Sequence, residues 1–299
     1  MLTILFFILS CRFAAPAAAN AGTELDLISA LPVDVQFKSA EPSGMTLWRN
    51  RLFVVSDNDD QTIYELKIEG TRALLTPHIQ FRAPFLPEVS KLDFEGIATD
   101  HRKYFYLTSE STSRVLRVSF DGKEAIWITP DLSEVGKPKG LFQVRNGGLE
   151  GVTLASRDRL FLCAERQSRG ILELRFRDEK LQARAWNCES EASPSRYGRP
   201  PDYSDLFYES GKLFALERGE EGIARIKMKH GAFRTESFWS FGRALRDPAY
   251  SYTDETYGKA EGLCLDSKRI YVILDNNGEA RTSDPTDTRP LFFIFRRPR

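Results

Sequence analysis

Four times along this chain a small or acidic residue and a glycine stand immediately before an apolar run: Ser43-Gly44, Glu95-Gly96, Glu150-Gly151 and Glu261-Gly262. Self-similarity at roughly fifty residues is the mark of repeated small sheets set around an axis, the blades of a β-propeller. Such symmetry constrains everything else, because a residue at a fixed place in each repeat recurs around a ring.

The stretches downstream of each phrase support the repeat. Leu52-Phe53-Val54-Val55 precedes Ile63-Tyr64-Glu65-Leu66, and Tyr104-Phe105-Tyr106-Leu107 precedes Val115-Leu116-Arg117-Val118. Leu160-Phe161-Leu162-Cys163 leads to Ile171-Leu172-Glu173-Leu174, and Ile270-Tyr271-Val272-Ile273 to a run at 291–295. Short aromatic and β-branched runs broken by Gly, Asp, Asn and Ser read as strands joined by turns. A degenerate copy ends in Leu213-Phe214-Ala215-Leu216-Glu217; counting back puts Asp202 at its phrase position, with Tyr203 in place of glycine. Fourth strands are expected at 74–81, 125–128, 183–186 and 236–241. The last repeat lacks one, which residues 25–37 would supply, leaving no open edge. The expected fold is all-β: a single propeller of four-stranded blades over 22–299, five in number, or six if an irregular blade is hidden.

Composition bears on core and partners. A chain of 299 residues with 41% hydrophobic content can bury one large core, and aromatics once or twice per repeat are expected at blade interfaces. Lys plus Arg and Asp plus Glu balance at 42 each, which argues against the basic face that nucleic-acid binding needs. The start is distinct: an apolar run at 2–9 leads to Ala19-Asn20-Ala21, a small-x-small pattern that reads as a signal peptide over 1–21. The run is too short for a transmembrane span, although no Lys or Arg precedes it. A periplasmic or secreted location is expected, with lipid attachment at Cys11 as the alternative. Cys163, Cys188 and Cys264 remain, spaced for neither zinc nor easy bridging, and are expected as free thiols.

In a propeller the inner strands line the central channel, so Glu95, Glu150, Asp202 and Glu261 should share one mouth, with Ser43 as the uncharged member. A second oxygen-bearing set stands near the end of the second strands: Asn58, Glu110, Glu165, Glu217 and Asn276. Three readings stay open for the first ring: glutamates that clip blades together through backbone amides, ligands of a hard cation such as Ca²⁺, or a catalytic carboxylate pair. Arg166, Arg218 and Lys259 are placed for anion recognition beside it. No Gly-x-Ser-x-Gly, phosphate-binding or dinucleotide motif occurs, and His78, His101 and His230 are expected in loops or turns.

The Glu-Gly-apolar phrase before a strand ending in Ser-Glu, Ala-Glu or Leu-Glu resembles two groups of bacterial extracytoplasmic propellers, the phytase-like ("esterase-like activity of phytase") family and the SdiA-regulated family. The likeness is strongest at Leu92–Gly96 with Tyr106–Glu110, and at Leu149–Gly151 with Leu160–Arg166. It implies an exported propeller that binds calcium, with Glu95, Glu150 and Glu261 as ligands, and hydrolysis of phosphate or carboxylic esters. Asp202-Tyr203 and Ser43 depart from the pattern. Two functions stand as expectations. The first is a Ca²⁺-dependent hydrolase of a small anionic substrate, with Glu110, Glu165, Arg166, Glu217 and Arg218 as catalytic candidates and Glu95, Glu150, Asp202 and Glu261 on the metal. The second is a non-catalytic propeller binding a small ligand, glycan or protein.

Overall fold

The structure is a computed structural model, and it describes residues 22–35, 41–178, 180–188, 198, 201–254 and 258–298. The expected leader at 1–21, with Cys11, lies outside the described residues, as do residues 189–197 and 199–200.

Two strands open the described chain, β1 (Thr23–Glu24) and β2 (Leu27–Val35). The first blade is β3 (Pro42–Trp48), β4 (Arg51–Ser56), β5 (Asp59–Glu69) and β6 (Arg72–Gln80). The second is β7 (Phe94–Thr99), β8 (Tyr104–Ser109), β9 (Arg114–Ser119) and β10 (Ala125–Trp127). The third is β11 (Leu149–Ser156), β12 (Arg159–Ala164), β13 (Gly170–Arg177) and β14 (Lys180–Asn187). The fourth is β15 (Asp205–Glu209), β16 (Lys212–Glu217), β17 (Gly222–Lys229) and β18 (Ala232–Ser240). The fifth holds β19 (Ala260–Leu265), β20 (Arg269–Leu274) and β21 (Leu291–Arg296). Inner strands β3, β7, β11, β15 and β19 each pack against the next, and β19 returns to β3, so the ring closes at five blades.

The strand sequences explain this layering. A blade's second strand is covered on both faces by neighbouring blades, so Leu52, Phe53, Val54 and Val55 are all buried and the run is continuously apolar. Perimeter strands alternate instead, as β14 does. Interfaces fill with aromatics: Trp48 meets Phe120 at 4.1 Å and Phe53 meets Phe105 at 5.2 Å between the first two blades. Trp186 and Phe161 flank Phe233 between the third and fourth. Each buried aromatic contributes about 1.5–3 kcal/mol by leaving water, which makes the interfaces the main source of cohesion.

The N-terminal segment closes the ring more widely than expected. β2 pairs antiparallel with β21 through Leu27–Pro32, completing the fifth blade, then runs parallel to β6 of the first through Val33–Val35. β1 pairs parallel with β18 of the fourth. One stretch therefore covers the outer edges of three blades. His78 lies within β6 rather than in a loop, its ring beside Phe53 at 5.2 Å. Cys163, Cys188 and Cys264 are free and buried. Among the described residues no helix is long and apolar enough to cross a membrane.

Candidate functional site

The repeated phrase is a β-bulge. In four blades the pairing of first and second strand slips at this point: between Pro42 and Met45, Phe94 and Gly96, Leu149 and Val152, and Ala260 and Gly262. A bulge inserts a residue and re-aims its side chain, here toward the axis. The glycine is needed because the next inner strand is too close for a side chain. A Cβ on Gly44 would lie 2.6 Å from the Glu95 carbonyl oxygen and Gly96 Cα, and one on Gly96 would lie 2.6 Å from the Glu150 carbonyl oxygen. A Cβ on Gly262 would meet the Ser43 carbonyl oxygen at 2.6 Å. Each phrase thus locks onto the next, and side-chain hydroxyls reinforce it: Thr108 donates to the Glu150 carbonyl and Ser204 to the Ala260 carbonyl.

Ser43, Glu95, Glu150 and Glu261 accordingly line one cavity of about 480 Å³ at the channel mouth. Asp202 departs from its expected place. β15 pairs without a bulge, with Asp205 opposite Leu216, so Ser204 holds the glutamate position and Asp205 the glycine position. Asp205 is fully buried and crosses the axis: its carboxylate accepts from Leu263 N at 2.7 Å, Leu206 N at 2.7 Å and Met45 N at 3.5 Å. Three blades are tied there by one side chain. Asp202 instead accepts from Gly219 N at 2.9 Å and from Arg218 Nε at 2.9 Å.

The second tier also shifts. Ser56, Ser109, Ala164 and Leu274 each face the residue that opens a bulge. The next position in each blade is therefore Asp57, Glu110, Glu165 and Asp275, with Arg218 in the fourth, and all five line the mouth. Asn58 is exposed and bonds Glu41, while Asn276 turns away to the Glu279 and Thr288 carbonyls. Glu217, a catalytic candidate from sequence, does not line the mouth. It is buried at the interface of the third and fourth blades against Arg169 Nη1, 2.8 Å away. A one-residue slip in a strand reverses the side-chain direction, which is why Arg218 rather than Glu217 reaches the axis. The dipeptides Asp57-Asn58 and Asp275-Asn276 carried this signal, and parity decided between their members.

Charge at the mouth is lopsided: nine lining residues are acidic and three, Arg166, Arg218 and Lys259, are basic. Arg218 replaces a carboxylate of the second tier and serves as its internal counter-charge. Its guanidinium meets Asp202, Glu261 Oε1 at 2.5 Å, and Glu165. Burial opposes its charge, but these carboxylates hold it firmly protonated. Arg166 is partly exposed and occupied by Glu165 and the Asn146 carbonyl. Lys259 is buried and forms no ion pair with any described residue. Burial pushes Glu95 and Glu150 well above the usual carboxylate range, with Asp57 adding to the first and Glu165 to the second. Burial also lifts Asp57, Glu261 and Asp275 to about 7, against the opposing pull of Lys91, Arg218 and the Asn277 amide respectively. Glu110 and Glu165 are raised by burial as well, opposed by the Gly148 amide and by Arg218.

Two trios of carboxylates bring ligand oxygens within 4.8 Å of one another: Asp57, Asp93 and Glu95, and Glu110, Glu150 and Glu165. The donors are all hard oxygens, and among the described residues no histidine or cysteine lines the mouth. Glu95 and Glu150 accept no side-chain hydrogen bond from any described residue, so the amide-clip reading of these glutamates does not hold; glycine contacts, hydroxyls and Asp205 do that work. Asp57 Oδ1 is buried without a hydrogen-bond partner. The trios are partly engaged: Lys91 Nζ stands 3.4 Å from Asp57 Oδ2 and 2.9 Å from Asp93 Oδ1, Gly148 N donates to Glu110, and Arg166 and Arg218 meet Glu165. Crowded carboxylate oxygens with fewer cations than charges still fit a hard divalent cation.

Residues 40–278 match the family described as Phytase-like: Esterase-like activity of phytase. The chain belongs to the phytase-like family. Its fold agrees with that of Myxococcus xanthus glutaminyl cyclase, at 12% identity over 91% of this chain and 97% of that one, with a TM-score of 0.54. An aldose sugar dehydrogenase from Streptomyces coelicolor, bound to PQQ, shares 14% identity over 95% of this chain and 100% of that one. Its TM-score of 0.45 supports no inference. No curated protein matches the sequence.

Proposed function

We propose that this protein is an exported propeller that binds Ca²⁺ at the channel mouth and hydrolyses a phosphate or carboxylic ester there. The observation that carries the reading is the convergence of carboxylates from four blades on one cavity, where Asp57 Oδ1 is buried without a hydrogen-bond partner although its other oxygen meets Lys91. Asp57, Asp93 and Glu95 would hold one ion, and Glu110, Glu150 and Glu165 are the second candidate set. Such an ion would offset the acidic field, polarise the ester and lower the pKa of bound water.

The protein's own groups divide the remaining work. Lys259, buried and without an ion-pair partner among the described residues, binds the anionic group of the substrate. Arg218 has its donors committed to Asp202, Glu261 and Glu165, so it fixes the second tier rather than touching substrate. Asp275, held near neutrality by burial, stands in the mouth where a proton must leave the attacking water. Export, proposed from the leader-like residues 1–21, would put the site outside the cytosol.

The test measures thermal unfolding with calcium and with chelator, then turnover of 4-nitrophenyl phosphate and 4-nitrophenyl acetate. Calcium should raise the midpoint and support turnover, and Glu150→Gln should weaken both. A melting temperature indifferent to chelator sinks the metal reading. Stabilisation without turnover of either ester would make the mouth a binding site only.

A further inference from the structure

Beside the mouth, between the second and third blades, runs a groove of about 510 Å³, which shares the candidate calcium ligands Asp93 and Glu110 but whose remaining lining the proposed chemistry leaves unused. Glu110 and Asn146 line both cavities, so the two adjoin. One wall is the turn after β8. The other is the long connection from β10 to β11, which carries α1 (Ser133–Gly136) and then residues 142–148.

That connection is anchored. Leu132 and Leu141 are fully buried in the core between these blades. Gly148 N donates to Glu110 Oε1 at 3.1 Å, and Arg166 grips the Asn146 carbonyl. Phe142 adopts φ +57°, a left-handed conformation unusual for a bulky residue. Its ring lies where a side chain on Gly136 would be, so only glycine there admits it. Val89, Phe142 and Val144 give the groove an apolar part, with serine hydroxyls beside it, and three carboxylates and three cationic side chains complete the lining. Ser111 donates to the Lys91 carbonyl at 2.7 Å, whereas the Ser113 hydroxyl makes no hydrogen bond with a described residue. Arg145 is exposed and forms no ion pair with one.

We infer that this groove is a second subsite, holding the alcohol portion of the ester whose anionic group occupies the mouth. The apolar part and hydroxyls suit a ring with an apolar face and a polar edge, and Arg145 suits a further negative charge on that ring. The inference rests on the proposed ester-binding role of the mouth. Binding energy from the non-reacting half would orient the scissile bond over the carboxylates.

Calorimetric titration in saturating calcium with methylphosphonate, benzylphosphonate and 4-carboxybenzylphosphonate tests it, since phosphonates keep the anionic head but are not cleaved. Benzylphosphonate should bind about tenfold tighter than methylphosphonate, and the carboxylated ring tighter still. Ser111→Trp should abolish the advantage of the ring, and Arg145→Glu only that of its carboxylate. Both should leave methylphosphonate affinity and calcium stabilisation within about twofold of the parent. If calcium stabilises the protein but methyl and benzyl compounds bind alike, or Ser111→Trp changes nothing, the subsite is refuted while the mouth stands. If calcium has no effect and no phosphonate binds, the mouth fails and the subsite with it.

Discussion

Replacing Arg218 with methionine removes a buried guanidinium that meets Asp202, Glu261 and Glu165 while keeping most of its volume. Breaking a buried ion pair from one side costs about 3–5 kcal/mol, because the partners stay buried without compensation. For a domain this large that is a fall of roughly 10 °C in the unfolding midpoint. The loss should depend on pH. Burial already lifts Glu261 to about 7 despite Arg218, and it raises Glu165 as well; without the arginine both must rise further. An acid whose folded pKa exceeds its unfolded value destabilises the fold progressively as pH rises from the unfolded to the folded pKa, because the unfolded chain ionises first. The penalty is small near pH 4.5 and grows as pH climbs to the folded pKa. In chelator, the variant should therefore melt close to the parent at pH 4.5 and well below it at pH 8, and calcium should recover part of the deficit at pH 8. Equal losses at both pH values would show that the arginine acts through packing. No loss at pH 8 would refute its role as counter-charge to the ring.

The same geometry predicts three other outcomes. Because Asp57, Glu261 and Asp275 are lifted to about 7, protons compete with calcium: apparent affinity, read by tryptophan fluorescence at constant ionic strength, should be about tenfold weaker at pH 6 than at pH 8 for each of these groups that must ionise. A flat profile would contradict the shifts. Asp57→Asn should lower calcium affinity strongly, whereas Glu217→Gln should destabilise the fold with calcium affinity changed less than about twofold; the reverse pattern would restore the register read from sequence. Gly96→Ala should cost about 1–3 kcal/mol in chemical denaturation, since its Cβ would press on the Glu150 carbonyl, and a neutral effect would show that the bulges are not interlocked.

The ring of blades was legible because glycine at a close approach and glutamate in a bulge leave the same signature in every repeat. Glu95, Glu150 and Glu261 could be read straight from that signature, and so could the closing role of the N-terminal strand. The fourth blade could not. It has no bulge, so counting back from Leu213 landed on Asp202, and Asp205, which ties three blades across the axis, carried no repeat signal. The second tier was legible only to within one residue. Asp57 and Asn58, Arg218 and Glu217, and Asp275 and Asn276 point to opposite sides of the same strand ends, and composition cannot choose between such neighbours. Lys259 was legible as a cation beside the ring, but the groove lined by Phe142 depends on how the long connection packs, a property of packing rather than of pattern.

Positions repeated in separate blades converge, on this view, to hold one kind of ligand. Diffraction from crystals soaked in calcium, with anomalous scattering to locate the ion, tests that convergence directly. Density is expected at the channel mouth about 2.3–2.6 Å from oxygens of Glu95 with Asp57 and Asp93, or of Glu150 with Glu110 and Glu165. A mouth that stays empty at saturating calcium, or an ion bound only on the perimeter of a blade, would contradict it.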